Sequence, residues 1–224
     1  YEKIFILCNK YLKKDVVVTD VGSAKKSTIT KINKIKRKDI NWISSHPIAG
    51  SEVSGPLNGD EDLFKNKWSV IIKQKNSSSS QMQKIMKFWK LLDSKPVIMD
   101  ADQHDKIFAI TSHLPHLIAY NLILTATNFK SSNKNNILKF SAGGLRDFSR
   151  IAASNEIMWR DIFFDNKINM LKVIDLFINN LKTFKREIKQ NRKSLEIKLK
   201  KLKRVRQKII SLKQDTSKPD FGRI

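Results

Sequence analysis

The feature that most constrains the fold is a change of hydrophobic period about a third of the way along the chain. Residues 15–21 (DVVVTDV) hold three consecutive valines, a run typical of a buried parallel strand. A Gly-Ser turn at 22–23 and an amphipathic helix follow, and 40–44 and 68–73 predict two more strands. Strand, helix and strand at this spacing predict a βαβ arrangement, and therefore an α/β domain with a parallel sheet.

The rest of the chain has a helical period. After the polar run NSSSS at 76–80, apolar residues recur every three or four positions over 82–93, 101–129, 156–190 and 194–212. Pro115 predicts a kink or an interruption in the second of these segments. We therefore predict an α/β domain over 1–75 and an all-helical domain over 76–224. The apolar stripes over 156–212 fit either a dimer interface or a self-contained bundle.

The chain has 224 residues and a net charge of +23, which raises the question of a nucleic-acid partner. The positive charges are mostly lysines, spread over the whole length without a recognisable nucleic-acid motif. A solvated basic surface therefore competes with a polyanion site, and we expect neither nucleic acid nor membrane as a partner. The sequence contains no unbroken run of about 18 apolar residues, the length that predicts a membrane span. One cysteine, Cys8, fits a reducing cytoplasm.

Four polar stretches stand out from the Lys/Ile/Asn-rich background and contain all four histidines. They are TDVGSAK (19–25), HPIAGSEVSG (46–55), HDKIFAITSHLPH (104–116) and GGLRDFSRIAASNEIMWRD (143–161). The second follows a short strand, and we predict that it is a loop carrying His46. A polar loop beyond a strand end is a common position for a functional site.

The third stretch places His113 and His116 three residues apart, on one face of a helix. The pair fits a metal site, a buried structural pair or a ligand contact. The chain has no HExxH pattern and no third ligand at a standard spacing. We expect no metal, and the apolar surroundings favour a ligand contact, since a buried polar group needs a partner.

The fourth stretch places Arg146 and Arg150 four residues apart, with Asp147 between them. Guanidinium groups held in this way grip carboxylates. The alternative is a surface pattern in which Asp147 pairs with an arginine.

Taken in order, the four stretches resemble the prephenate/arogenate dehydrogenase family of tyrosine biosynthesis. The motifs that carry the resemblance are D-V-G-S-x-K, H-P-I-A-G-S-E-x-S-G, H-D…T-S-H-L-P-H and G-G-x-R-D-F-S-R-I-A-A-S…M-W-R-D. The ending QDTSKPDFGRI is similar to the tail of alphaproteobacterial cyclohexadienyl dehydrogenases. The resemblance extends over the whole chain.

The resemblance implies the C-terminal part of a Rossmann-type nucleotide-binding domain, followed by a helical dimerisation and substrate domain. It implies NAD or NADP as cofactor, a homodimer, and prephenate or arogenate as substrate. The family's G-x-G-x-x-G segment is absent from this chain. We therefore expect that a first βαβ half, on the order of 70–90 residues, is missing from the sequence.

The resemblance also implies roles for individual residues. His46 matches the catalytic histidine, and Ser23 matches the serine beside the substrate hydroxyl and the nicotinamide. Arg150 matches the arginine that binds a substrate carboxylate. The other implied positions are substrate-binding (His116, His113, Ser51, Glu52, Trp159, Arg146), supporting (Asp105, Asp147) and cofactor-binding (Ser23, Asp20, Gly22).

The function expected on this basis is NAD(P)-dependent oxidative decarboxylation of prephenate to 4-hydroxyphenylpyruvate. An arogenate-specific enzyme that forms tyrosine directly is the alternative within the class. A basic nucleic-acid-binding helical protein and an inactive fragment are the alternatives outside it.

Overall fold

The computed structural model describes residues 1–50, 55–129 and 138–212. Short strands and helices alternate in its first part. The elements are α1 (Glu2–Asn9), β1 (Val17–Val18), α2 (Lys26–Ile35), β2 (Asn41–Trp42), β3 (Ser45–Pro47), a 3₁₀ turn (Pro56–Asn58), β4 (Trp68–Ile72), α3 (Ser79–Leu91) and β5 (Lys95–Met99).

Helices alone form the second part. The elements are α4 (Ala101–Phe108), a π-helical segment (Ala109–His113), α5 (Leu114–Asn128), α6 (Gly143–Ala152), α7 (Glu156–Asp165), α8 (Lys167–Gln190) and α9 (Arg192–Ser211). The long helix predicted over 156–190 is therefore two helices that meet at Asn166.

The strands form two small sheets, a parallel pair of β1 and β2 and a mixed sheet in the order β3-β4-β5, whereas a parallel sheet was predicted. β1 pairs with β2 in parallel, and β4 pairs with β5 in parallel, each across a helical crossover. β3 runs antiparallel to β4, because the chain between them returns without a crossover helix. Ile43 N donates to Val18 O and Ile72 N donates to Ser44 O, so the bent segment 41–47 joins the two strand groups.

The sheet extends past the domain boundary predicted at residue 75. β5 lies beyond that point and pairs with β4 along its whole length, from Trp68 opposite Lys95 to Ile72 opposite Met99. Helix α3 is the crossover between these strands and buries Met82, Ile85 and Trp89 against Ile43 and Ile71. The polar run at 76–80 thus precedes a crossover helix inside the α/β part and does not end it.

The helical part docks on the sheet through α4. Phe108 of α4 packs in one cluster with Val70 and Ile72 of β4. On the neighbouring surface, Asp165 at the end of α7 accepts hydrogen bonds from Ser27 Oγ (2.7 Å) and Lys31 Nζ (2.9 Å) of α2. Apolar packing and polar contacts together fix the helices against the α/β part.

A π-helical segment lies where the sequence predicted an interruption. Pro115 has no N–H to donate to Thr111, four residues back, and its ring crowds that carbonyl. The wider turn at Ala109–His113 ends just before Pro115, which occupies the first turn of α5. The continuous helix Ala101–Asn128 is the one described helix long and apolar enough to cross a membrane by length and composition alone. Its first turns are docked on the sheet.

The last two helices, α8 and α9, expose much of their apolar surface. Met170 and Val173 of α8 are buried, but Leu171, Ile178 and Leu181 are each more than 40% exposed. Helix α9 buries none of its residues. The two helices are held together at Lys198, which pairs with Glu187 at 2.7 Å and lies over the ring of Phe184.

Candidate active site

His46 lies on strand β3, and not in the loop that the sequence predicted. It sits opposite Val70 in the antiparallel pair with β4, and its ring packs against Phe108 at 4.9 Å between centroids. Only 8% of the residue is exposed. A strand holds the imidazole more firmly than a loop would, because pairing with β4 fixes the backbone at Ser45, His46 and Pro47.

A chain of hydrogen bonds runs from His46 into the helical part. His46 Nδ1 lies 2.8 Å from Nε2 of His104, and His104 Nδ1 lies 2.8 Å from Oδ1 of Asp105. His104 and Asp105 are almost completely buried. Asp105 was predicted as a supporting residue, but the sequence assigned no role to His104, which is 58 positions from its partner.

The carboxylate of Asp105 occupies the N-terminus of α2. Its Oδ1 accepts a hydrogen bond from Lys25 N at 2.9 Å, and its Oδ2 accepts one from Lys26 N at 3.0 Å. These first N–H groups of a helix have no partner within it, and the helix dipole favours an anion there. One carboxylate thus joins α2 of the α/β part, α4 of the helical part and the histidine pair.

Burial keeps these imidazoles neutral. Desolvation, reinforced by the neighbouring His104 and Lys25, lowers the pKa of His46 from 6.5 to about 2. Burial also lowers the pKa of His104, and the hydrogen bond to Asp105 opposes that shift without reversing it. A neutral imidazole can accept a proton at its unprotonated nitrogen, which is the task of a general base.

A buried ion pair shapes the turn between β1 and α2. Lys25 Nζ donates to Asp20 Oδ2 at 2.5 Å and to the carbonyl oxygen of Ser45 at 2.6 Å. Asp20 also accepts from Gly22 N and from Ser44 Oγ. Asp20 was predicted to bind cofactor, yet both its oxygens already serve this turn. The sequence assigned no role to Lys25, whose contact with Ser45 brings the turn next to His46.

Ser23 and Gly22 lie in this same turn. Gly22 is buried, and a Cβ there would lie 2.8 Å from the ring of Tyr1. Ser23 is half-buried, two residues before the lysine that bonds to the backbone next to His46. The predicted serine thus lies in the turn that Lys25 joins to Ser45, the residue before His46.

His113 is buried beside the same cluster. Asn166, at the junction of α7 and α8, donates from Nδ2 to the carbonyl oxygen of Asp105 at 2.7 Å, and the same atom lies 3.2 Å from His113 Nδ1. Burial lowers the pKa of His113 to about 4. Its Nε2 atom has no hydrogen-bond partner among the described residues.

His116 and Trp159 form a stacked pair. Their ring centroids are 3.6 Å apart with planes 22° from parallel, and His116 Nδ1 lies 3.0 Å from the carbonyl oxygen of Ser112. Trp159 is buried and its edge also faces His113. This gives a flat aromatic wall next to His113. The described residues contain no group of three His, Cys, Asp or Glu able to hold a metal ion.

The arginine pair lies on α6 and outside the buried cluster. Arg146 and Arg150 are exposed, and Asp147 between them is half-buried. Helix α6 adjoins α5, and Tyr120 of α5 donates to the carbonyl oxygen of Ser154 at 3.1 Å. Ser51 and Glu52 lie outside the described residues.

Two family models together match nearly the whole of this architecture. Residues 3–98 match "Prephenate dehydrogenase, nucleotide-binding domain", and residues 100–204 match "Prephenate dehydrogenase, dimerization domain". The crystal structure of prephenate dehydrogenase from Aquifex aeolicus, in complex with hydroxyphenyl propionate and NAD+, superposes with a TM-score of 0.86 at 32% identity. The alignment covers 93% of this chain and 72% of that one. The chain belongs to the prephenate dehydrogenase family.

Curated members of the family are similar over most of this chain. The cyclohexadienyl dehydrogenase of Zymomonas mobilis is 36% identical over 177 residues, which is 79% of this chain and 60% of the relative. The prephenate dehydrogenase of Bacillus subtilis is 28% identical over 184 residues, or 82% of this chain and 49% of the relative. The chain thus spans about half to three-fifths of these relatives' length. The predicted family and fold class are confirmed.

The residues of this prephenate dehydrogenase family member fit one end of a dinucleotide. The turn at Gly22–Ser23 lies beside the strand that carries His46, which suits the nicotinamide end, although the ring of Tyr1 packs against Gly22. The N-terminus of α2 would ordinarily attract a phosphate, but Asp105 already accepts from its first two N–H groups. Asp105 thus takes the place of a phosphate at the N–H groups of Lys25 and Lys26.

Proposed function

We propose that the chain carries the substrate-oxidising site of an NAD(P)-dependent prephenate dehydrogenase of the cyclohexadienyl type. The reaction is the oxidative decarboxylation of prephenate to 4-hydroxyphenylpyruvate, a step of tyrosine biosynthesis. The observation that carries the proposal is the buried, neutral imidazole of His46, held on a strand and hydrogen-bonded to His104 and Asp105. Membership of the family supplies the reaction class.

His46 acts on the C4 hydroxyl of the substrate ring in this proposal. Its unprotonated nitrogen accepts the hydroxyl proton as C4 loses its hydride. The ring carboxylate then leaves as CO2, its bonding electrons complete the aromatic ring, and the imidazolium returns the proton to the phenolate oxygen. Ser23, in the neighbouring turn, donates a hydrogen bond that orients the same hydroxyl. Because aromatisation drives the reaction, orientation and proton acceptance are the main contributions of the protein.

A nicotinamide ring of NAD or NADP would take up the hydride released from C4. The turn at Gly22–Ser23 would hold this ring beside His46, with Asp20 fixing the turn from behind. Because the backbone of the turn is clamped by the Lys25–Asp20 pair, the ring would meet a surface that does not shift during the reaction.

The remaining predicted residues form the rest of the substrate pocket in this proposal. The stacked rings of His116 and Trp159 supply an apolar wall for the cyclohexadiene ring, with His113 at its edge. Arg150, assisted by Arg146, binds a substrate carboxylate, while Asp147 orients the guanidinium groups. Ser51 and Glu52 follow His46 closely in sequence and keep their predicted substrate-binding role.

Arogenate is a second candidate substrate. It has the same ring chemistry and differs only in carrying an amino acid in place of the keto acid side chain. The similarity at 36% identity to a protein named cyclohexadienyl dehydrogenase favours an enzyme that accepts more than one such ring. Competition between prephenate and arogenate for one site, measured by initial rates, separates a dual enzyme from a specific one.

The direct test combines binding with turnover. We expect calorimetry to show saturable binding of hydroxyphenyl propionate, and a spectrophotometric assay to show prephenate-dependent formation of NADH, with turnover measured on a chain that includes the complete nucleotide-binding domain. His46→Asn should lower kcat by about 10²–10⁴-fold with little change in KM, since it removes the proton acceptor. Steep, salt-dependent retention on DNA without binding of the aromatic acid would instead favour the nucleic-acid alternative.

Arg150→Gln should raise KM for prephenate about 10- to 100-fold and leave kcat nearly unchanged. The reason is the loss of a charge-assisted contact to a substrate carboxylate, worth about 1.5–3 kcal/mol. Arg160→Gln is the matched control, because Arg160 is an exposed arginine paired with Asp161 on α7. Equal KM values for both variants would assign Arg150 to the surface pattern.

A homodimer and a cytoplasmic location complete the proposal. The match to a family dimerization domain and the exposed apolar faces of α8 and α9 support the first. The single, exposed Cys8 supports the second, because free exposed thiols persist in reducing compartments.

A further inference from the structure

The hydrogen bonds around Asp105 fix which atoms carry protons. Its carboxylate is approached by Lys25 N, Lys26 N and His104 Nδ1, at distances between 2.8 and 3.0 Å. The two backbone groups can only donate. An ionised carboxylate can only accept, so the proton in the third hydrogen bond belongs to His104 Nδ1.

The proton on His104 Nδ1 determines which of the remaining ring nitrogens of His104 and His46 carry protons. Burial lowers the pKa of His104, so its ring is neutral and carries one proton, on Nδ1. Its Nε2 atom therefore has a lone pair, and the 2.8 Å contact to His46 Nδ1 requires that His46 supply the proton. His46 is neutral too, which leaves Nε2 as its unprotonated nitrogen.

We propose that His104 and Asp105 are positioning residues that keep the ring proton of His46 on Nδ1 and leave Nε2 as the proton acceptor for the substrate hydroxyl. The role in turnover rests on the proposed function, whereas the tautomer itself does not. Among the described residues, no hydrogen bond is made to His46 Nε2, which leaves that atom for the substrate.

Asp105, the last residue in this chain of hydrogen bonds, lies at the contact between the α/β part and the helical part of the protein. Asp105 is held by the N-terminus of α2 on one side, and Asn166 Nδ2 donates to its backbone oxygen at 2.7 Å on the other. The carboxylate thus has little freedom to turn away from His104. Docking of the helices on the α/β part is what sets the proton position at His46.

The test is the tautomer of His46, measured by ¹⁵N NMR of the ligand-free protein labelled at histidine. We expect a protonated Nδ1 and an unprotonated Nε2 near neutral pH. His104→Leu removes the acceptor, so the His46 signal should become a mixture of both tautomers. His104→Gln offers an amide oxygen and should restore the Nδ1–H form. A native His46 with its proton on Nε2, or an unchanged tautomer in a folded His104→Leu variant, would overturn the proposal.

A matched pair of substitutions on α4 separates positioning from general structural effects. Asp105→Asn places an amide N–H group among three hydrogen-bond donors, Lys25 N, Lys26 N and His104 Nδ1. The variant should therefore disturb the tautomer of His46. It should also lower kcat by about 10²-fold or more, with KM changed less than about threefold. Asp102→Asn makes the same chemical change three residues earlier, at an exposed pair with Lys26 and Lys106, and should alter neither. Equal effects of the two substitutions contradict a positioning role.

These measurements also separate failure of this proposal from failure of the proposed function. The NMR experiment needs neither substrate nor cofactor. A protein with the Nδ1–H tautomer but without prephenate binding would contradict the dehydrogenase function alone. A protein that oxidises prephenate with the opposite tautomer would contradict the positioning role alone.

Discussion

Three buried histidines share a single electrostatic cause at the residue scale. Burial lowers the pKa of His46, His104 and His113 below the ordinary value of 6.5, and it is the largest contribution for each. The cluster also holds the Lys25 ammonium, whose positive charge opposes protonation of His46. A site built in this way holds neutral imidazoles at neutral pH and not cations.

This arrangement makes stability depend on pH. The unfolded chain binds protons at its histidines below about pH 6.5, whereas folded His113 resists protonation down to about pH 4. The stabilising contribution is therefore complete above pH 6.5 and is lost as the pH falls towards 4. The expected slope is up to about 1.4 kcal/mol per pH unit for each histidine, measured by urea unfolding between pH 7.5 and 4.5.

His113→Asn tests this dependence. The variant loses one titrating group, so its free energy of unfolding should fall less steeply with decreasing pH than that of the unsubstituted protein. Asn169→Ala is the control: it removes a 2.8 Å hydrogen bond to Asn166 without removing a titrating group, and should shift the curve in parallel. Identical slopes for the protein and His113→Asn would contradict the assignment.

The sequence predicted most of these residues but not how they connect. His46 and His113 were predicted because they occur in polar stretches within an apolar, lysine-rich background, and Asp105 because of the resemblance to the dehydrogenase family. The contact between His46 and His104 was not predictable from spacing, since it depends on how α4 docks on the sheet. The Lys25–Asp20 pair was missed because a lysine in a chain with 44 basic residues carries no signal of burial.

At the scale of elements, the turn between β1 and α2 depends on its buried ion pair. Lys25→Met would leave the Asp20 carboxylate buried without a cation, which costs about 3–5 kcal/mol. We expect a correspondingly lower free energy of unfolding in urea, partly restored by adding Asp20→Asn. Lys31→Met removes an exposed pair with Asp165 and should cost much less. Equal losses for Lys25→Met and Lys31→Met would contradict a structural role for the buried pair.

The elements themselves were predicted where the periodicity is local. The buried face of α3 and the crossover from β1 to β2 follow directly from apolar spacing. Strand β3 was not predicted, because its Ser-His-Pro sequence has no strand pattern and its partner β4 is fixed only by folding. Asn166 divides α7 from α8 through contacts to Asp105 and His113, which local propensity does not report.

At the scale of the whole molecule, helices α8 and α9 expose apolar side chains, whose burial would be favourable. Leu171, Ile178 and Leu181 lie close together along one side of α8, and each is exposed in the single chain. A second copy of the chain would bury them, as proposed for the family's dimerisation domain.

Sedimentation equilibrium or light scattering tests the dimer. We expect a mass of twice 25.9 kDa for the chain, and a substantial monomer fraction for Ile178→Glu, because a buried unpaired carboxylate opposes association. Asn180→Glu adds the same charge on a different side of α8 and should leave the mass unchanged. A monomeric unsubstituted protein would instead favour the self-contained bundle.

The π-helical segment Ala109–His113 also sets the direction in which the side chains of α5 point relative to those of α4. In a regular helix each residue advances by about 100°, and a π turn absorbs one residue more than an α turn does. Deleting one residue from this segment would rotate α5 by about a quarter of a revolution relative to α4. His104 and Asp105 would keep their places beside α2, while His116 would turn away from Trp159. The wide turn thus fixes the angle between the half of the long helix that carries His104 and Asp105 and the half that carries His116.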